Sequence, residues 1–200
     1  MVDQATVSPD GMKYAFILRD GLSWHDGQPV VAEDCVESLK RWGKKDRFGQ
    51  LLMAHTARIR PIDKKTFTLE LGERFGPVLD ALGKPSGNVP FMMPARIAST
   101  PPEEQIKEVV GSGPFKFAKD EWQQGQRVVY RSNSDYIPRD EPPSGSTGGK
   151  KVYVDEVIWR HIPMPGTRRT SSQPVTWTGG SNRHSTLSLS FSSTRTYRHS

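Results

Sequence analysis

Two hundred residues suffice for one domain or two small ones, yet only 34% are apolar and the mean hydropathy is -0.63, so the whole chain is not expected to build one large core. No run of about 18 apolar residues occurs, which argues against a membrane-spanning helix. The net charge of +6 belongs to the far end: no acidic residue follows Glu156, whereas Arg160, Arg168, Arg169, Arg183, Arg195 and Arg198 do, so residues 1–156 are balanced and no basic nucleic-acid-binding face is expected on them.

Residues 1–11 lack a basic patch followed by an apolar core, so no secretory leader is expected there, and an exported protein would have its natural beginning elsewhere. Cys35 is alone, which excludes an internal disulfide and a thiolate zinc cluster. Residues 13–18 (KYAFIL) are apolar, β-branched and aromatic between two Asp-Gly corners, and predict a strand buried on both faces. At Asp26-Gly27 the glycine suits a turn that needs positive φ.

Over residues 31–45 the spacing becomes helical, with Val31, Cys35, Leu39 and Trp42 on one stripe and Glu37 placed to pair with Arg41. Val31 stands where a capping Ser or Thr is expected, and Gly43 or Gly49 is expected to end the helix. Residues 57–62 and 66–71 predict a hairpin in which Phe67, Leu69 and Leu71 face inward and Thr66, Thr68 and Glu70 outward, with Pro61 placing the first strand at an edge. Short helices are expected over 75–82, 95–98 and 102–109, separated by a loop at 84–90 and an apolar Phe91-Met92-Met93 step. A second hairpin is expected from 115–118 and 127–131, then a flexible loop over 142–149 and a strand over 152–162. Beyond about residue 165, Ser, Thr and Arg dominate without periodicity, which predicts disorder or loose packing, apart from an alternating stretch at 187–192.

Several segments carry a family resemblance. Residues 18–34, LRDGLSWHDGQPVVAED, resemble the signature of the peptide and nickel class (family 5) of ABC-transporter solute-binding proteins. Residues 84–94 (KPSGNVPFMMP) are similar to a loop in one branch of that family, and 111–117 (GSGPFKF) to its GTGPYKF segment, followed by Trp122, Gly125 and 131–136. Residues 154–160 and Ile162-Pro163 resemble a strand leading back into the first lobe. Departures from the pattern include Val31 in place of Thr, Ser134 in place of Pro, and a sequence after Arg168 that does not continue into a second lobe.

The resemblance implies an α/β, mixed α+β fold: a partial lobe of the type II periplasmic-binding-protein kind, built from β-hairpins and short helices and ending in an irregular tail. It implies a partial first lobe over 1–168 and a disordered or frame-shifted Ser/Thr/Arg-rich segment over 169–200 of a truncated product. The implied function is non-covalent binding of peptides or similar small solutes, delivered to ABC permease subunits from an extracytoplasmic position, with no cofactor and no nucleic acid. Closure on a solute needs both lobes, so high-affinity transport by this chain alone is not expected.

The candidate ligand-binding residues are Lys84, Pro85, Ser86, Asn88, Phe91 and Met92. Pro and Gly stiffen the loop, Ser86 and Asn88 offer donors and acceptors, and Phe91, Met92 and Met93 could form an adaptable apolar wall. The alternative is that these apolar side chains plug the core beneath the loop, and Trp122 is likewise expected to be a core aromatic. His25-Asp26 invites a hydrolase reading, but no nucleophile or further ligand accompanies it in sequence, so a structural turn is expected. Gly111-Ser112-Gly113 lacks the Lys-Ser/Thr ending of a phosphate loop and reads as a hinge or tight turn. A basic nucleic-acid-interacting protein, acting through the tail, remains the other alternative.

Overall fold

The computed structural model describes residues 1–161 except Ser86 and Ser146. The expectations for residues 162–200, including the tail and the alternating stretch at 187–192, lie outside the described residues. The described residues divide into two compact units, one formed by Met1–Phe117 with Ser132–Lys151, the other by Ala118–Arg131 with residues 152–161.

In the first unit, β1 (Val2–Val7), β2 (Lys13–Leu18), β3 (Thr56–Pro61) and β4 (Thr66–Leu71) form an antiparallel sheet in the order β1-β2-β4-β3. β2 is buried on one face only, contrary to expectation: Tyr14, Phe16 and Leu18 point into the core, while Lys13 and Ile17 are exposed. β1 supplies its neighbour with backbone partners but almost no buried side chains. β4 lies centrally and is buried more completely than alternation suggests, because Thr68 joins Phe67, Leu69 and Leu71 inside. Phe16 and Phe67 stand opposite each other in register and stack at 4.9 Å. β3 occupies the edge, where Pro61 removes no needed ladder donor. In the turn before β4, Asp63 Oδ1 accepts the amides of Lys65 and Thr66 at 2.7 and 2.8 Å.

Two helices connect β2 to β3. α1 (Ala32–Lys45) does not stop at Gly43, and Gly49 lies inside α2 (Arg47–Ala54), a helix the sequence did not suggest. Both glycines serve close packing between these helices. A Cβ at Gly43 would fall on Met53 Cγ, and one at Gly49 would approach Gly43 Cα and the Trp42 ring to 3.0 Å. Asp46 separates the helices: its amide closes α1 on the Trp42 carbonyl, and its Oδ1 caps α2 by accepting from Phe48 and Gly49 at 3.0 Å.

The helix expected over 75–82 shrinks to α3 (Val78–Leu82), since Pro77 disfavours helical backbone at Gly76. α4 (Ala95–Ala98) forms as expected. Residues 102–109 are a turn followed by chain without regular secondary structure rather than a helix. The Pro101 carbonyl accepts the Glu104 amide, closing a single turn, as well as the Arg41 guanidinium, each at 3.0 Å, and the Glu104 carbonyl accepts from Arg41 at 3.0 Å. Arg41 also reaches the Thr100 carbonyl, and Glu37 pairs with Lys40 instead of Arg41. β5 (Phe115–Phe117) closes this part of the unit.

The second unit holds a short 3₁₀ turn (Lys119–Glu121), most of β6 (Arg127–Ser132), and β7 (Glu156–Arg160), which pairs antiparallel with β6. The expected hairpin is present, since Ala118 N–H reaches the Val129 carbonyl at 2.9 Å. The strand expected over 152–162 is limited to β7. Trp122 is 48% exposed, so it is not the core aromatic expected; Val129 is fully buried there.

Candidate functional site

α1 forms because its first turn carries Glu33 and Asp34, its last turn Lys44 and Lys45, and its apolar stripe of Cys35, Leu39 and Trp42 is buried. The missing cap at Val31 is replaced from inside the helix, where Asp34 Oδ2 accepts the Val31 amide at 2.9 Å. The same oxygen accepts Trp24 Nε1–H at 2.9 Å, and Oδ1 accepts the Ala95 amide at 2.7 Å. Asp34 is 6% exposed, so this buried carboxylate is satisfied by N–H donors rather than by a cation.

Asp34 begins a polar stripe with a four-residue step. Ser38 Oγ donates to the Asp34 carbonyl at 2.6 Å and accepts the Met93 amide at 3.0 Å, with the Met93 carbonyl 3.1 Å away. Trp42 Nε1 donates to the Asn88 carbonyl at 2.7 Å. Asp46 Oδ2, just past the helix end, holds Lys84 Nζ at 2.8 Å. Residues 34, 38, 42 and 46 therefore fasten residues 95, 93, 88 and 84 in turn, so that the loop runs back along one face of α1.

This arrangement fixes what the loop can present. Lys84 is half-buried against Asp46, and that ion pair, with the Gly49 and Phe48 amides, holds the Asp46 carboxyl below its ordinary range despite some desolvation. Pro85 and Asn88 are exposed, Phe91 is 70% exposed, and Met92 packs partly against the core. Gly87 takes a φ of 75°, which turns the chain between Lys84 and Asn88. Ser86 lies outside the described residues.

The corner at residues 24–29 is fastened to residues 111–113. His25 N–H donates to the Gly111 carbonyl at 2.8 Å, the Gly111 amide donates to His25 Nδ1 at 3.3 Å, and His25 Nε2 lies 3.1 Å from the Gly113 carbonyl. With Nδ1 accepting, Nε2 carries the proton and the ring is neutral. Burial pushes its pKa below the ordinary value, more strongly than the Gly113 carbonyl raises it. A side chain at Gly111 would press on the imidazole, with a Cβ 3.1 Å from its Cε1. Asn133 Nδ2 also donates to the Gly113 carbonyl at 3.1 Å.

Asp26 accepts the Gln28 amide at 3.1 Å and pairs with Arg96 at 2.7 Å; Arg96 in turn pairs with Glu108. Against the desolvation that opposes ionisation, those two bonds hold the Asp26 carboxyl below the ordinary range. His25 and Asp26 are thus each engaged in holding backbone and side-chain partners together. Arg19 reaches the carbonyls of Ile137 and Pro138 at 3.0 and 3.2 Å. Burial pushes the Cys35 thiol up to about 12, leaving it protonated and unreactive. Among the described residues, no group of three or more His, Cys, Asp or Glu side chains could hold a metal ion.

His25, Asp26 and the residues of α1 thus serve here as fasteners of a corner and a loop, and the sequence signature at residues 18–34 is built into that scaffolding. The profile of the bacterial extracellular solute-binding proteins, family 5 (Middle), matches residues 1–173, and the chain belongs to that family. It is 45% identical over 159 residues to a probable peptide ABC transporter periplasmic-binding protein of Sinorhizobium fredii, covering 80% of this chain and 29% of the relative. Among solved structures it is similar to the periplasmic binding protein AgaA of A. tumefaciens R10 in complex with agropinic acid (27% identity, TM-score 0.62, 86% of this chain and 32% of that one). It is also similar to DppA of Helicobacter pylori in complex with the peptide STSA (25% identity, TM-score 0.63, 86% and 35%). The chain spans about a third of the length of these relatives, which are named as binding proteins.

Proposed function

We propose that this chain is part of the first lobe, over residues 1–168, of an extracytoplasmic solute-binding protein that binds peptides or similar small solutes non-covalently and delivers them to ABC permease subunits. The observation that carries this reading is the 45% identity to the Sinorhizobium fredii relative, whose name assigns it to peptide transport. The named ligands of the solved relatives, a peptide and agropinic acid, agree with a small-solute site. Among the described residues no helix is long and apolar enough to cross a membrane.

Within this reading, the loop bearing Lys84, Pro85, Ser86, Asn88, Phe91 and Met92 takes part in solute contact. Asn88 and Phe91 offer exposed hydrogen-bonding and apolar surface, while Lys84 acts from its ion pair as the loop's tether. No catalytic step is assigned: the function is recognition, completed when a second lobe closes on the solute. The test is a chimera in which residues 1–161 replace the matching segment of the Sinorhizobium fredii relative. Peptide-specific thermal stabilisation of the chimera, weakened by Phe91→Ala, is expected. A folded chimera that no peptide stabilises, or one that turns a peptide over, contradicts the proposal.

A further inference from the structure

We infer that the peptide joining Val110 to Gly111 is an acid-operated hinge: the neutral imidazole of His25 locks it, and protonation of that ring releases it while the next peptide, joining Gly111 to Ser112, stays in place. The two peptide planes meet at the Gly111 Cα and are held by different parts of His25. The Gly111 carbonyl accepts the His25 backbone N–H at 2.8 Å, whereas the Gly111 N–H goes to Nδ1 of the ring at 3.3 Å. The other ring nitrogen sets the imidazole in position by donating to the Gly113 carbonyl at 3.1 Å. That carbonyl also accepts Asn133 Nδ2 at 3.1 Å, and the Asn133 amide donates to the Pro114 carbonyl at 2.9 Å. The lock is thus made wholly of contacts formed within the first unit.

A proton on Nδ1 reverses one of these contacts and strengthens another. The imidazolium has two donors and no acceptor, so Nδ1–H then faces the Gly111 N–H, donor against donor. At the same time the Nε2 bond to the Gly113 carbonyl becomes charge-assisted and grips harder. The ring can retreat only by giving up the stronger bond, so the peptide plane yields instead. Its pivot is a glycine, where no Cβ restricts rotation. Residues 105–110, which precede it, have no regular secondary structure to oppose the swing.

The groups around the ring set where this happens. Burial disfavours the charged ring most strongly, the Gly113 carbonyl favours it, the Lys116 ammonium of β5 disfavours it and the Asp26 carboxylate favours it. Neither charge acts alone: Asp26 pairs with Arg96 of α4, which also holds Glu108, and Lys116 pairs with Asp135 at 3.3 Å. The ring therefore stays neutral until the pH falls below the ordinary histidine value of 6.5, and the hinge is locked at neutral pH. The inference is independent of solute binding, because none of these groups belongs to the loop at 84–92.

The test is site-resolved NMR of the full, unsubstituted chain from about pH 8 to about pH 4, an interval that reaches well below the histidine range. Ring nitrogen shifts follow the titration of His25, and amide exchange is expressed relative to an unstructured peptide at the same pH. Protection of the Gly111 amide is expected to fall about tenfold, with the midpoint of the ring titration, as its hydrogen bond is lost. The His25 amide, bonded to the Gly111 carbonyl, should keep its protection throughout. Lys116→Met should raise both midpoints together, and His25→Gln should make Gly111 protection independent of pH. Constant protection at Gly111 while the ring titrates overturns the inference. So does loss at Gly111 and His25 together, and so does a ring that stays neutral down to about pH 4. These three results come from the unsubstituted chain and stand even if a variant fails to fold.

Discussion

The indole Nε1–H of Trp42 donates to the carbonyl of Asn88 across 2.7 Å and ties the last turn of α1 to a loop 46 residues further along the chain. Trp42 is 7% exposed and its ring also packs against Gly49, so one side chain fills the helix crossing and holds the loop. Trp42→Phe keeps most of the packing and removes the donor. A loss of about 1 kcal/mol in urea denaturation is expected, because the Asn88 carbonyl loses its partner. Faster amide exchange across residues 84–95, with the sheet unaffected, would localise that loss.

Asp34 should matter more. Asp34→Ala leaves the Trp24 indole, the Val31 amide and the Ala95 amide without their shared acceptor in a buried position. Destabilisation of about 3 kcal/mol or more is expected from denaturant titration. Asp34→Asn should lie between the variants, since its amide oxygen can replace only part of the acceptor set.

Stability should depend on pH through His25. The folded state holds the neutral imidazole at a pKa lowered from 6.5, so as pH falls through about that value the unfolded chain takes up the proton first. Stability is complete above the unfolded pKa, declines as pH falls toward the folded pKa, and levels off below it. Melting temperatures measured between pH 8 and pH 5 should show this decline, and His25→Gln should flatten it, two values that bracket the ordinary histidine range.

Thr68 offers a change in the opposite direction. Its Oγ1 is buried without a hydrogen-bond partner on the central strand β4. Thr68→Val keeps the branched shape, suits a strand and removes the unsatisfied hydroxyl. Stabilisation of about 1 kcal/mol is expected by thermal or chemical denaturation.

The elements legible in the sequence were those whose side chains alternate cleanly. β4, with Phe67, Leu69 and Leu71 inward, announced itself, and Pro61 correctly marked β3 as an edge. β1 did not, because it is nearly all exposed and has no apolar period; only pairing with β2 makes it a strand. Gly43 and Gly49 read as stop signals because sequence shows conformational freedom and not the neighbour a side chain would strike. The helix expected at 102–109 stops after one turn, and the Glu104 carbonyl is held by Arg41, some sixty residues earlier, a partner that local sequence does not reveal.

Much the same holds for the candidate loop. Its residues were picked out by composition, but the device that holds it was not. The step Asp34, Ser38, Trp42, Asp46 is visible as a spacing of four, yet polar residues at helical spacing read as a solvated face. Only the partners at 95, 93, 88 and 84 give the stripe its meaning, and these lie 38 to 61 residues away. The His25 corner and the 111–113 segment likewise appear as separate motifs until the imidazole joins them.

Site-resolved hydrogen exchange of the Met93 and Ala95 amides tests the central claim, that α1 fastens this loop, most directly. In the unsubstituted chain both should exchange as slowly as amides within the β2–β4 ladder, and Ser38→Ala should release Met93 while leaving Ala95 protected by Asp34. Exchange of both at the rate of an unstructured peptide would contradict it.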